Sequence, residues 1–163
     1  MKFSIIIPIF NEKNNISLLV SKIKSCLKKY KYEIIIVDDS SIDGSKNILL
    51  NLDKKYKNVK IIFRKNKIRD LSKSCRDGFA ISRFDNLIVM DGDLQHNPKY
   101  IPKMIKIYKN YSCDFVVGAR DLIKNRVKSL SIFRQSASFM IIKFFEFFFG
   151  KKTIDPMSGI FFI

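Results

Sequence analysis

Two acidic pairs stand where apolar runs of this chain stop. Asp91-Gly92-Asp93 closes Leu87-Ile88-Val89-Met90, and Asp38-Asp39 closes Ile34-Ile35-Ile36-Val37. Short apolar runs of this kind read as buried strands. Acids just past a strand's carboxyl end face the crevice where open α/β sheets take ligands. Side chains alternate along a strand but converge where the backbone turns, so Asp91 and Asp93 can reach one hard cation. Mg2+ or Mn2+ favours carboxylate oxygens plus substrate phosphates, and Gln95 adds an amide oxygen two residues further on. Nucleoside diphosphates need such a cation to offset their charge. Asp38-Asp39 suits another task, accepting hydrogen bonds from a base N–H or a ribose hydroxyl. Both pairs also have a plainer use. Acids at strand ends form turns and cap helices, and Ser40-Ser41-Ile42-Asp43-Gly44 is a turn leading to a helix.

The elements that must position these acids follow from periodicity. Phe3 to Ile9 reads as a first strand, ended by Pro8 and the polar turn Asn11 to Asn15. Ile16, Leu19, Val20, Ile23 and Leu27 then recur at helical spacing. The same reasoning predicts a strand from Glu33 to Val37, a helix from Ser45 to Leu52 and a strand from Val59 to Phe63. After a basic loop, Lys65 to Asp70, come a helix from Leu71 to Ser82 and the strand Leu87 to Met90. A helix from Pro98 to Tyr108 has proline in its first turn, and Phe115 to Val117 makes a short strand. Strands alternating with helices imply right-handed crossovers and a mainly parallel sheet covered on both faces. No repeat or linker interrupts the pattern, which predicts a single domain over 1–163. Gly159 to Ile163 reads as a strand just begun, so a domain cut short at its C-terminus is expected.

Composition bounds the rest. Hydrophobic residues make up 47% and aromatic residues 13% of the 163, which excludes a disordered tail. Cys26, Cys75 and Cys113 lie far apart with no CxxC pair, as reduced thiols of a cytoplasmic protein do. Lys and Arg number 31 against 15 Asp and Glu, formally +16. Such a balance attracts anions, although a Lys-, Ile-, Asn- and Phe-rich composition also produces solvated lysines without a partner. Met1 leads straight into the first strand, so no signal peptide is expected. No uncharged stretch is long enough to span a bilayer, because Lys143 and Glu146 interrupt Phe139 to Phe149. With Phe139, Ile142, Phe145 and Phe149 at helical spacing and Lys143 and Lys151 nearby, that stretch fits an interfacial helix or a core helix equally.

Taken together, the motifs resemble family 2 glycosyltransferases. Pro8-Ile9-Phe10-Asn11-Glu12, Val37 to Gly44 and Met90-Asp91-Gly92-Asp93-Leu94-Gln95-His96-Asn97-Pro98 are similar to that family's successive motifs. The last resembles most the polyprenyl-phosphate (dolichyl-phosphate) mannosyl- and glucosyltransferase branch. Val117-Gly118-Ala119-Arg120 and Asp155-Pro156-Met157-Ser158-Gly159 fit the branch's later motifs. Five motifs in order are far more specific than one Asp-x-Asp. The resemblance implies a GT-A (Rossmann-like) fold and a metal-dependent, inverting transfer of a hexose. The donor would be GDP-mannose or UDP-glucose, and the acceptor a polyprenyl phosphate at the cytoplasmic membrane face. Pro8, Phe10, Glu12, Val37 and Asp39 would hold base and ribose. Asp91, Asp93 and Gln95 would hold Mg2+ or Mn2+, with Gly92 allowing close backbone approach. Arg120 would contact diphosphate or sugar, Arg134 the acceptor phosphate, and Asp155 sits in the acceptor-side motif.

Phe10 keeps the ring of the tyrosine common at its position and loses the hydroxyl. Asp70 stands where relatives usually carry glycine, which would permit positive φ. His96, the one histidine, reads as a polar residue at a helix start rather than as a partner of the metal site. A saccharide acceptor, and a chain that binds nucleotide without turnover, are the alternatives. A nucleic-acid binder is disfavoured because no recognised module is visible. Oligomeric state is left open.

Overall fold

The computed structural model describes residues 1–65, 68–111, 113–118 and 159–163. Strands β1 (Lys2–Ile9), β2 (Lys31–Asp38), β3 (Val59–Phe63) and β4 (Leu87–Met90) alternate with helices α1 (Ile16–Cys26), α2 (Ser45–Lys55) and α3 (Leu71–Ala80). Helix α4 (Ile101–Tyr111) then leads to β5 (Val116–Val117), and β6 (Ile160–Phe162) lies near the last residue. The sheet order is β3-β2-β1-β4-β6-β5. β1 pairs in parallel with both β2 and β4, and β2 with β3. β6 runs antiparallel to β4 and β5, so the mainly parallel sheet has an antiparallel far edge.

The chain moves outward from β1 through β2 to β3, then returns to place β4 on β1's other side. Strand order therefore reverses between β1 and β4, where sheets of this class open their ligand crevice.

Period-two alternation sorts the strands' side chains between two cores. Phe3, Ile5, Ile7, Ile34, Ile36, Ile88 and Met90 pack with α1, α2 and α4. Ile6, Ile35, Val37 and Val89 face the other way, against Cys75 and Phe79 of α3. Gly78 lets α3 approach this face, since a Cβ there would lie 2.6 Å from Ile6.

Of the boundaries that differ from expectation, two have plain local reasons. The helix foreseen from Pro98 opens as a 3-10 turn, Pro98–Tyr100, and becomes α-helical at Ile101. Pro102 has no N–H to give the Pro98 carbonyl, so the first bond there is the shorter one from Ile101. Phe115 stays outside β5 and half-exposed, because pairing starts at Val116 opposite Phe162.

Candidate functional site

The carboxyl ends of β1 and β2 are level, with Pro8 opposite Val37 and Ile9 opposite Asp38. The loops that follow are laced together. Asn11 N donates to Ser41 Oγ at 2.8 Å, Ile42 N to Asn11 Oδ1 at 2.9 Å, and Lys13 N to Asp43 Oδ2 at 2.9 Å. Asp43 also accepts from Ser45 N at 2.9 Å, in the turn that enters α2, and Asp38 accepts from the hydroxyl of Ser41. Asp38 and Asp43 thus brace the turn, while the N-cap position of α2, Gly44, carries no side-chain cap. Asn11, Ser40 and Leu94 all have positive φ, at 57°, 65° and 64°. They follow β1, β2 and β4 in turn, so among the described residues the left-handed ones other than glycine sit at the crevice end of the sheet, where strain accompanies function.

A cavity of about 460 Å³ opens there, lined by Pro8, Ile9, Phe10, Asp39, Ile68, Arg69, Leu71 and Ser74. Of the residues expected to hold base and ribose, the structure brings Pro8, Phe10 and Asp39 to this cavity. Val37 is fully buried among Ile6, Ile35 and Val89 and takes no part in the lining. Glu12 ties down the start of α1, its carboxylate accepting from Asn15 Nδ2 at 2.7 Å.

Asp39 is 5% exposed and already has partners for both carboxylate oxygens. Arg64 Nη1 donates to Oδ1 at 2.6 Å, and Asp70 N donates to Oδ2 at 2.7 Å. Arg64 also donates to Asp77 Oδ2 at 2.9 Å, the Asp70 carbonyl at 3.1 Å and Ser74 Oγ at 3.0 Å. This guanidinium therefore bolts the α3 start to the end of β2. Sequence reasoning missed Arg64, and its signal was register: Asp38 pairs with Phe63, so Asp39 and Arg64 come level just past the ends of adjacent strands. Asp70 has φ −151°, an extended value open to any residue, and accepts from Lys73 N as the cap of α3. The turn needs no glycine. That bond, opposed by slight desolvation, holds the Asp70 carboxyl below its ordinary value.

Across the crevice, Gly92 is buried, and a Cβ on it would meet Ile9 at 2.7 Å and Glu12 at 3.4 Å. Its missing side chain seats the Asp91–Asp93 loop directly on the β1 loop. Asp91 lies against Gly159, where a Cβ would come within 1.7 Å of the carboxylate, and Asp91 N donates to the Gly159 carbonyl at 2.9 Å. Gly159 N in turn donates to His96 Nε2 at 3.2 Å. His96 is a tie between the β4 loop and the entry to β6, a role beyond the helix-start reading. Burial, with the Asp91 charge adding to it, pushes the Cys75 thiol up to about 11.

Asp93 is half-buried, and Oδ1 accepts from Gln95 N at 3.0 Å. Gln95 is exposed, and Asp91, Asp93 and Gln95 lie within one five-residue loop. Two carboxylates and an amide oxygen are hard donors that fit Mg2+ or Mn2+. Among the described residues no three or more His, Cys, Asp or Glu side chains gather into a cage. A cation shared with substrate phosphates does not require one. Arg120, Arg134 and Asp155 lie outside the described residues, as does the Phe139–Phe149 stretch.

Residues 4–162 match the model of the family described as Glycosyl transferase family 2. The chain belongs to that family. It is 38% identical over 163 residues to a dolichol-phosphate mannosyltransferase of Pyrococcus furiosus, an alignment covering 99% of this chain and 46% of the relative. A second dolichol-phosphate mannosyltransferase, from Mycosarcoma maydis, is 37% identical over 123 residues, covering 72% and 41%. The chain thus spans under half the length of these two relatives.

Solved glycosyltransferases share the fold. A glucosyl-3-phosphoglycerate synthase from Mycobacterium tuberculosis, in complex with Mn2+, UDP and glucosyl-3-phosphoglycerate, superposes with TM-score 0.67 at 16% identity, over 99% of this chain and 56% of its own. A mannosyltransferase from Pyrobaculum calidifontis, in complex with GDP-Man and Mn2+, gives 0.59 at 16% identity, over 72% and 35%. The fold is therefore the GT-A type expected from the motifs. Among the described residues no helix is long and apolar enough to cross a membrane.

Proposed function

We propose that this chain carries the donor half of a glycosyltransferase that moves a hexose from a nucleoside-diphosphate sugar to a polyprenyl phosphate. The observation that carries this reading is 38% identity along the whole chain to a dolichol-phosphate mannosyltransferase. The cavity bounded by Pro8, Phe10 and Asp39 is the place for base and ribose. Asp91, Asp93 and Gln95 would hold Mg2+ or Mn2+, which when bound offsets charge on the departing diphosphate. The missing side chains of Gly92 and Gly159 leave room for the Asp91–Asp93 loop to pack closely, and Asp93 Oδ1 already accepts from Gln95 N, which favours a site formed before a ligand arrives.

A lipid phosphate is anionic at neutral pH and needs no strong base. Its oxygen would attack the anomeric carbon as the bond to the diphosphate oxygen breaks, a single displacement that inverts the sugar. Positioning and electrostatics then supply most of the rate. Arg120, Arg134 and Asp155 keep their roles on the sugar, acceptor phosphate and acceptor motif as part of this proposal. The reaction would take place at the cytoplasmic face, with the protein peripheral on the membrane.

A transfer assay tests the whole reading. Labelled GDP-mannose and UDP-glucose are offered with Mn2+ to a short polyprenyl phosphate in detergent, and separately to saccharide acceptors. Label on the lipid phosphate from one donor is expected. Label only on saccharide would move the acceptor class. Nucleotide binding without any transfer would leave a donor-binding unit that cannot turn over by itself.

A further inference from the structure

Arg69 lines the cavity and makes no ion pair among the described residues. Its guanidinium carbon sits 4.2 Å from the centroid of the Phe10 ring, a cation–π stack over a ring the cavity uses as a wall. A flat base placed between the two would need about 7 Å, twice an ordinary carbon contact. Base and guanidinium therefore compete for this face of Phe10. The next residue cannot yield easily, because Asp70 gives its N–H to Asp39 and its carbonyl accepts from Arg64. Exchange is left to the exposed, flexible Arg69 side chain itself.

We propose, resting on the nucleotide-sugar reading above, that Arg69 is an exchange residue of the nucleotide pocket. Its guanidinium covers Phe10 when the pocket is empty, gives that face to the base, and turns to the diphosphate. Phosphate oxygens suit the displaced group, since guanidinium meets them with two parallel hydrogen bonds. The arrangement separates two parts of one ligand. The base must displace Arg69, and the diphosphate recaptures it.

Calorimetry with guanosine, uridine, GDP and UDP reads both parts, on wild type, Arg69→Ala, Arg69→Lys, Phe10→Leu and Phe10→Leu with Arg69→Ala. Arg69→Ala is expected to bind the preferred nucleoside about two- to fivefold more tightly, the size of an exposed cation–π contact removed from the empty state. The same variant is expected to bind the matching diphosphate about tenfold more weakly. Arg69→Lys should recover part of the diphosphate affinity. In the Phe10→Leu background, Arg69→Ala should no longer tighten the nucleoside. Equal weakening of nucleoside and diphosphate by Arg69→Ala would make Arg69 a static wall and overturn the exchange. A wild type that binds nucleotide, with Arg69→Ala indistinguishable from it, overturns this inference alone. A wild type that binds none of the four overturns the functional reading and this inference with it.

Discussion

The α3 side of the sheet carries a buried charge cluster at each end, and the two are built differently. At the amino end of β2, Glu33 is 3% exposed and enclosed by Lys60 Nζ at 3.0 Å and Arg83 Nε at 3.5 Å. Its other oxygen accepts from Ser4 Oγ at 2.8 Å and Arg83 N at 2.6 Å. At the carboxyl end, Arg64 is the enclosed group, shared among Asp39, Asp77, Ser74 and the Asp70 carbonyl. In the first cluster a carboxylate gathers cations to close the end of the sheet. In the second a cation gathers acceptors, and one of them, Asp39, is a wall of the cavity proposed to take the nucleotide. The lower cluster serves stability, whereas the upper one couples stability to the shape of the site.

The largest effect is expected from Arg64→Met. It leaves the buried Asp39 without its cation, and urea unfolding should show a loss of about 3–5 kcal/mol. Nucleotide affinity should fall with it, because the Arg64 bonds to Asp39 and to the Asp70 carbonyl no longer fix the cavity's rim. A destabilised Arg64→Met protein that binds nucleotide at wild-type strength would dissolve the distinction between the clusters.

Glu33→Gln comes next, at about 1–3 kcal/mol, since the amide keeps an acceptor and loses the charge facing Lys60 and Arg83. Nucleotide binding should not change. Its pH dependence sharpens the contrast. Burial would raise the Glu33 carboxyl, but the Arg83 N–H, Lys60 and Ser4 outweigh it and hold the group below its ordinary 4.5. A carboxyl lowered in the folded state adds stability above its unfolded value and loses it as pH falls through the folded one. Wild-type stability should therefore drop below about pH 4.5, and the drop should be shallower in Glu33→Gln. Parallel profiles for the two proteins would remove Glu33 from this role.

The smallest change is expected from Asp70→Gly. Glycine at a helix N-cap is only a few tenths of a kcal/mol worse than aspartate. The backbone N–H and carbonyl that hold Asp39 and Arg64 remain in place. A melting temperature within about 2 °C of wild type, with nucleotide affinity kept, is the expected result.

Much of this was legible in the chain because it is local. The apolar runs Phe3–Ile9 and Ile34–Val37 announced buried strands, and strand-end acids marked the crevice. The part that was not legible depends on distance along the chain. Arg64 meets Asp39 through strand register, with no local pattern to announce it. Gly159 reaches His96 and Asp91 across more than sixty residues, and only the closed sheet reveals why a side chain cannot be accommodated there. Asp70 illustrates the converse. Comparison with relatives suggested a need for glycine, and the backbone shows an ordinary capped helix start.

The proposed function requires a nucleotide site completed by a cation at Asp91 and Asp93. Titration calorimetry of GDP and UDP, each with and without Mn2+, on wild type and Asp93→Ala tests it most directly. Binding of one nucleotide, tightened by Mn2+ in wild type and indifferent to Mn2+ in Asp93→Ala, is the expected result. Binding that ignores Mn2+ in wild type, or no binding of either nucleotide, would contradict it.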